Sequence, residues 1–139
     1  MGKRKHRKTS LALNGGISIG ANGEFKWKKP NNLTIGNIFL NGGVLELSET
    51  EAQTFAITSN IQLQADSEII FNGGSTLNYT GAEVLVGNVL TMSGNGQLQN
   101  TNNFNLSAAN GKLKLSEIVL AKLTTSADSL GLDVDGNSS

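Results

Sequence analysis

The sequence predicts an all-β fold, a single-stranded parallel β-solenoid of about five to six coils with roughly 22–27 residues in each coil. Two observations predict it. Pairs of apolar residues alternate with polar ones over three to five residues, which is typical of short half-buried strands. The chain also contains 17 glycines and as many asparagines, and both residues tolerate the left-handed backbone that tight corners need.

A regular spacing organises the apolar pairs. Six coil starts are separated by 22, 22, 22, 27 and 26 residues: Leu11, Leu33, Phe55, Leu77, Phe104 and Leu130. Second strands begin at Ile17, Ile38, Ile61 and Val84, and third strands at Phe25, Leu45, Ile69 and Leu90. One coil cannot bury its inward residues alone, so coils stack at about 4.8 Å per step. We therefore expect the six starts to form one inward column, with outward loops at Ser93–Asn100 and within Ser116–Ser126.

An antiparallel β-sandwich or jelly roll is the competing fold. Asn-Gly, the strongest short hairpin signal, occurs six times along the chain. These dipeptides fall at different offsets within the repeat, whereas the apolar starts keep their spacing, so the solenoid is favoured. Two stretches could form short helices instead: Ser48–Glu51, which matches a capping box, and Ser116–Leu123.

Charge divides the chain into three segments: a basic flexible tail over 1–10, the solenoid domain over 11–132 and a frayed acidic C-terminus over 133–139. Five of the eleven basic residues lie in the tail: Lys3, Arg4, Lys5, Arg7 and Lys8. Residues 11–139 have a net charge of −5. The tail could contact an anionic membrane or another polyanion, or it could be a solvated terminus. Nucleic-acid binding is not expected, because the acidic body would oppose it.

Few residues of the chain are suited to catalysis or metal binding. The chain has no cysteine, and its single histidine, His6, lies in the tail, so the body can assemble neither a thiolate site nor a histidine metal cluster. Glu24, Glu46 and Glu68 are spaced 22 residues apart and would form a ladder of carboxylates in register. Such a ladder could hold calcium or supply the carboxyl pair of a glycosidase. A row of solvated charges is the favoured interpretation, without a catalytic site or a cofactor.

Two stretches, residues 33–47 and 87–98, carry a family resemblance in their alternating apolar residues and Asn-Gly corners. They resemble coils of bacterial autotransporter passengers and filamentous-haemagglutinin-type adhesins. The resemblance implies a parallel β-helix at the cell surface or outside the cell, acting in adhesion or as a rigid stalk.

The resulting functional prediction is a non-enzymatic structural or adhesive module. A solenoid exposes unpaired strand edges at its two ends, so we expect self-association through the coil ends, and a surface polysaccharide is a possible ligand. One alternative is a cytoplasmic polymerising scaffold similar to bactofilins, with the basic tail on a membrane. Another is a polysaccharide-active β-helix enzyme that uses the glutamate ladder.

Overall fold

The computed structural model describes residues 11–99, 103–106, 108, 110–120 and 132–135. It is an all-β parallel solenoid of about five turns, which confirms the predicted fold class. Every ladder between the described strands is parallel, and the one antiparallel contact is an isolated bridge between Gly20 and Gly42. The antiparallel sandwich is therefore wrong. The predicted basic tail and Leu130 lie outside the described residues.

Each coil contributes strands to three faces. The first face holds β1 (Leu11–Leu13), β4 (Leu33–Ile35), β7 (Thr54–Ile57) and β14 (Ile118–Leu120). The second holds β2 (Ile17–Gly20), β5 (Ile38–Asn41), β8 (Ile61–Ala65), β10 (Val84–Leu85) and β12 (Phe104–Asn105). The third holds β3 (Glu24–Trp27), β6 (Val44–Leu47), β13 (Lys112–Ser116) and β15 (Leu132–Asp135). Two long strands, β9 (Ser67–Tyr79) and β11 (Val89–Gln99), run from the third face around a corner onto the first.

The third face carries the longest ladder in the described chain. Its strands follow the order β3–β6–β9–β11–β13–β15 within an eight-stranded sheet, which β7 and β14 join through β9 and β11. β15 includes the first three residues of the segment predicted to be frayed, and Asp133 and Asp135 pair there with Lys114 and Ser116 of β13. The described residues contain no helix with the length and hydropathy needed to cross a membrane.

The core consists of columns of stacked apolar side chains. On the third face, Leu45 pairs with Ile69, Ile69 with Met92 and Met92 with Leu115. The first three of these side chains are completely buried and Leu115 is 2% exposed. Trp27 and the half-buried Phe25 also point toward the core, as alternation along β3 requires. The interior is thus built by repetition rather than by any single coil.

The predicted first-face column is correct in part. Leu11 pairs with Leu33 and Phe55 pairs with Leu77, as the spacing of 22 indicated. Leu77 then pairs with Leu98, so the placement of Phe104 in this column is wrong. Phe104 instead pairs with Val84 on the second face. No pairing joins Leu33 to Phe55 in the described structure.

The error at Phe104 has its origin in a tight corner. β11 passes through the segment predicted as a loop, Ser93–Asn100, as continuous strand with a register shift between Gly94 and Gly96. Gly94 has φ +97°, and a Cβ there would lie 2.0 Å from the carbonyl oxygen of Phe71. Only glycine fits this turn, and the short corner brings Leu98 directly onto Leu77.

Neither predicted short helix is present in the described residues. Ser48 adopts φ +69°, and its hydroxyl donates to the carbonyl of Glu51 at 2.6 Å, which closes a corner rather than capping a helix. In the second stretch, Glu117 at φ +61° forms the corner between β13 and β14. In both cases pairing with neighbouring coils determines the backbone, and the local helix signal does not.

Replacing Leu77 by alanine tests the buried column. Leu77 is completely buried and Leu85 is 58% exposed, so the two leucines form a matched pair. We expect Leu77→Ala to lower the free energy of unfolding by about 3 kcal/mol, because it leaves a cavity, and Leu85→Ala by less than about 1 kcal/mol. Urea unfolding followed by circular dichroism measures both. Equal losses in the two variants would contradict the assigned column.

Candidate functional site

The third face carries the three glutamates singled out from the sequence. The register places Val44 beside both Glu24 and Glu68, and it places Glu46 beside Lys26. The predicted glutamate ladder is therefore wrong. The steps between paired strands here are 20 residues from Glu24 to Val44 and 24 from Val44 to Glu68, instead of a constant 22. Val44 and Lys26, rather than glutamates, occupy the positions that pair directly with these residues.

Glu46 is the centre of a polar cluster that links three coils. Lys26 Nζ lies 3.8 Å from Glu46 Oε2 and 3.9 Å from Glu24 Oε1. Asn72 Nδ2 donates to Glu46 Oε1 at 2.7 Å and to the carbonyl of Ser48 at 3.1 Å. The side chain of Glu46 is 19% exposed, whereas that of Lys26 is 56% exposed. The sequence analysis missed Asn72, because an Asn-Gly pair indicates a corner of the coil and does not indicate a side-chain contact.

The environment of Glu46 favours its ionised form. The hydrogen bond from Asn72 holds the pKa of this carboxyl below its usual value, and burial acts in the opposite direction. A hydrogen bond with the Glu24 carboxyl and the positive charge of Lys26 lower the pKa further. A general acid in glycoside hydrolysis needs a raised pKa instead. The ionised Glu46 carboxylate is therefore suited to link neighbouring coils through its hydrogen bond and ion pair, and less suited to act as a general acid.

The other acidic side chains nearby accept hydrogen bonds between coils. Glu68 Oε1 accepts from the Ser93 hydroxyl at 2.8 Å, and Asp66 Oδ1 accepts from the Val89 amide at 2.9 Å. Both residues line an open surface cleft of about 340 Å³. Among the residues that the structure describes, no three His, Cys, Asp or Glu side chains are grouped closely enough to hold a metal ion.

The N-terminal edge of the solenoid, formed by β1, β2 and β3, is the second candidate site. Within the described chain each of these strands pairs on one side only, with β4, β5 and β6. The Ile17 amide donates to Asn37 at 2.9 Å, and Leu13 accepts from Gly36 at 2.9 Å. Because successive residues point their N–H and C=O groups to opposite edges, those of Ser18 and Ala12 face outward along the axis.

Apolar side chains also reach this edge. Leu11 is 56% exposed, whereas Phe55 and Leu77 further along the first face are completely buried. Ile17 and Phe25 are half-buried on the other two faces. Within the described residues, the N-terminal edge thus combines backbone groups that lie outside the strand ladders with a partly exposed end of the core. The tail residues predicted to bind membrane or polyanion, Lys3 to Lys8, lie outside the described residues.

No protein-family model, no curated protein and no solved structure matches the chain.

The Glu46 cluster generates a pH-dependent prediction. Because its pKa in the folded protein is lowered from 4.5, Glu46 contributes stability that is present above pH 4.5 and is lost as the pH falls through the folded value. We expect Glu46→Gln to reduce the free energy of unfolding by about 1 kcal/mol at pH 7, and the difference from wild type to shrink at pH 3. Urea titrations at the two pH values measure this.

Glu49 provides the matched control, since it forms an exposed ion pair with Lys28 at 3.3 Å. Glu49→Gln should change the unfolding free energy by less than about 0.5 kcal/mol at pH 7. If Glu46→Gln unfolds like wild type at both pH values, Glu46 does not tie the coils together.

Proposed function

We propose that the protein is a structural module, a rigid β-solenoid segment that associates with a second copy of itself through the N-terminal edge. The observation that carries this proposal is that β1, β2 and β3 pair on one side only among the described strands, above a core whose first leucine, Leu11, is 56% exposed. Natural proteins usually cover such edges, because unpaired strands add further strands readily. A second copy offers strands of the same spacing.

The third-face ladder supports the structural part of the proposal. Each strand of this ladder from β3 to β15 is hydrogen-bonded to the next one. A force along the solenoid axis is therefore shared by the backbone hydrogen bonds between successive coils. At about 4.8 Å per step, five turns give a segment roughly 25 Å tall. A unit of this size becomes mechanically useful when copies join end to end.

The adhesive and cell-surface part rests on the resemblance of residues 33–47 and 87–98 to autotransporter and haemagglutinin-type coils. We place the module in a stalk or fibre at a cell surface on that basis. The bactofilin-like alternative shares the end-to-end assembly and differs in using Lys3–Lys8 on a membrane, which pelleting with anionic liposomes would reveal. The enzyme alternative lacks the carboxylate ladder on which it depended.

Association should depend on the backbone of β2. Ser18→Pro removes an amide donor that faces the open edge while leaving the donor of Ile17 to the second coil in place. Ser18→Thr retains the amide and serves as the control. We expect wild type and Ser18→Thr to form larger species with rising concentration, and Ser18→Pro to shift toward monomer by about tenfold in concentration. Sedimentation velocity and electron microscopy measure the effect.

A strictly monomeric wild-type chain at high protein concentration would contradict the proposed assembly. Equal association of Ser18→Pro and Ser18→Thr would show that copies join elsewhere. The melting temperatures of both variants, measured in parallel, separate a loss of association from a loss of folding.

A further inference from the structure

The first face is interrupted between the second and third coils. Among the strands that the structure describes, β4 pairs only with β1 and β7 only with β9, so these two neighbours belong to different sheets. An open groove of about 270 Å³ lies between them. Leu33–Ile35 line it on one side and Thr54 and Ala56–Thr58 on the other, and Trp27 and Pro30 complete the lining.

The backbone on both walls points into this groove. Gly36 donates to Leu13 at 2.9 Å, so the alternate residues Leu33 and Ile35 direct their N–H and C=O groups away from β1. On the other wall, the bond from the Thr76 amide to the carbonyl of Gln53 at 2.8 Å orients Thr54 and Ala56 away from β9. Ser59 Oγ donates to the Ile35 carbonyl at 3.3 Å, so this acceptor on the β4 edge already has a partner.

A side chain from the first coil accounts for the separation. Trp27 packs edge-on against Phe55 with ring centroids 5.0 Å apart, and its Nε1 donates to the carbonyl of Lys29 at 3.0 Å. The indole fills the interior position that Leu33 would need in order to stack on Phe55. The chain then reaches β4 through the 3-10 helix Pro30–Asn32, which begins with a residue that has no amide donor.

We infer that this groove binds an extended, uncharged segment of another polypeptide, which adds as a strand between β4 and β7. Apart from the Ile35 carbonyl, the backbone groups that face the groove take no part in a described strand ladder, and they match a peptide backbone, whose residues alternate their hydrogen-bonding groups between the two sides. No lining residue carries a charge, so a charged segment would lose solvation without gaining an ion pair.

The groove also defines the side chains that the segment carries. Since β4 has three residues, about three residues of the segment pair with it. Every ladder of the described structure is parallel, and the added strand takes the same direction. One inward side chain rests on Trp27, Leu33 and Ile57 and is apolar, while its neighbours pass the exposed hydroxyls of Thr34 and Thr54.

A synthetic peptide that copies residues 75–80, with both termini blocked, tests the inference. This segment is uncharged and already pairs with the other edge of β7. Titrated into the 15N-labelled full chain, it should shift the amide resonances of Leu33, Ile35, Thr54 and Ala56. A peptide with the same sequence but N-methylated at alternate residues should bind at least about fivefold more weakly, because it lacks the donors.

Variants separate the groove from other strand edges. Ala56→Pro removes a donor that faces the groove, Ala56→Ser retains it, and Thr54→Trp fills the groove from an exposed position. Thr76→Trp, which places the same bulk at the paired position on β9, is the control for Thr54→Trp. Ala56→Pro and Thr54→Trp should each weaken peptide binding about fivefold or more, whereas Ala56→Ser and Thr76→Trp should bind like wild type.

Absence of any shift at the highest soluble peptide concentration would overturn the inference. Shifts confined to Ala12 and Ser18 would also overturn it, since the peptide would then be adding to the N-terminal edge. Because the groove and the N-terminal edge use different strands, each proposal can fail while the other stands. Melting curves of each variant confirm that it folds before binding is compared.

Discussion

Parallel backbone pairing between successive coils is the constraint on which the rest of this structure depends. A single coil has no interior of its own, and Leu45 becomes buried only because Phe25 lies on one side of it and Ile69 on the other. The ladder also determines the neighbours of every outward side chain. Glu46 lies beside Lys26 because of strand register, and its hydrogen bond from Asn72 extends the same linkage to a third coil.

Corner length explains where the first face is continuous and where it opens. The turns from the third face to the first are longer in the first two coils than in the later ones. The early ones occupy residues 28–32 and 48–53, whereas β9 and β11 make the later ones without interrupting the strand. β7, β9, β11 and β14 belong to one sheet. One long corner precedes β4 and the other precedes β7, and the face separates between these two strands at the groove that Trp27 helps to line.

Alternation and spacing were sufficient to predict the fold, most strand positions and the pairing of Phe55 with Leu77. They were insufficient for register, because register depends on corner length, which the apolar pattern does not contain. Leu98 lies between two glutamines and forms no apolar pair, so the pattern assigned its place to Phe104. The capping-box sequence at Ser48 failed for a related reason, since hydrogen bonds to other coils override a local preference. Asn72 and the groove depend on contacts between coils that no single repeat shows.

The stacking order itself is accessible to nuclear Overhauser spectroscopy on the labelled full chain. The account predicts contacts from the ring of Phe55 to the methyl groups of Leu77, and from Leu77 to Leu98, with backbone contacts that advance in the same direction on both strands. Contacts from Leu77 to Phe104 in place of Leu98, or backbone contacts that run in opposite directions on neighbouring strands, would contradict it.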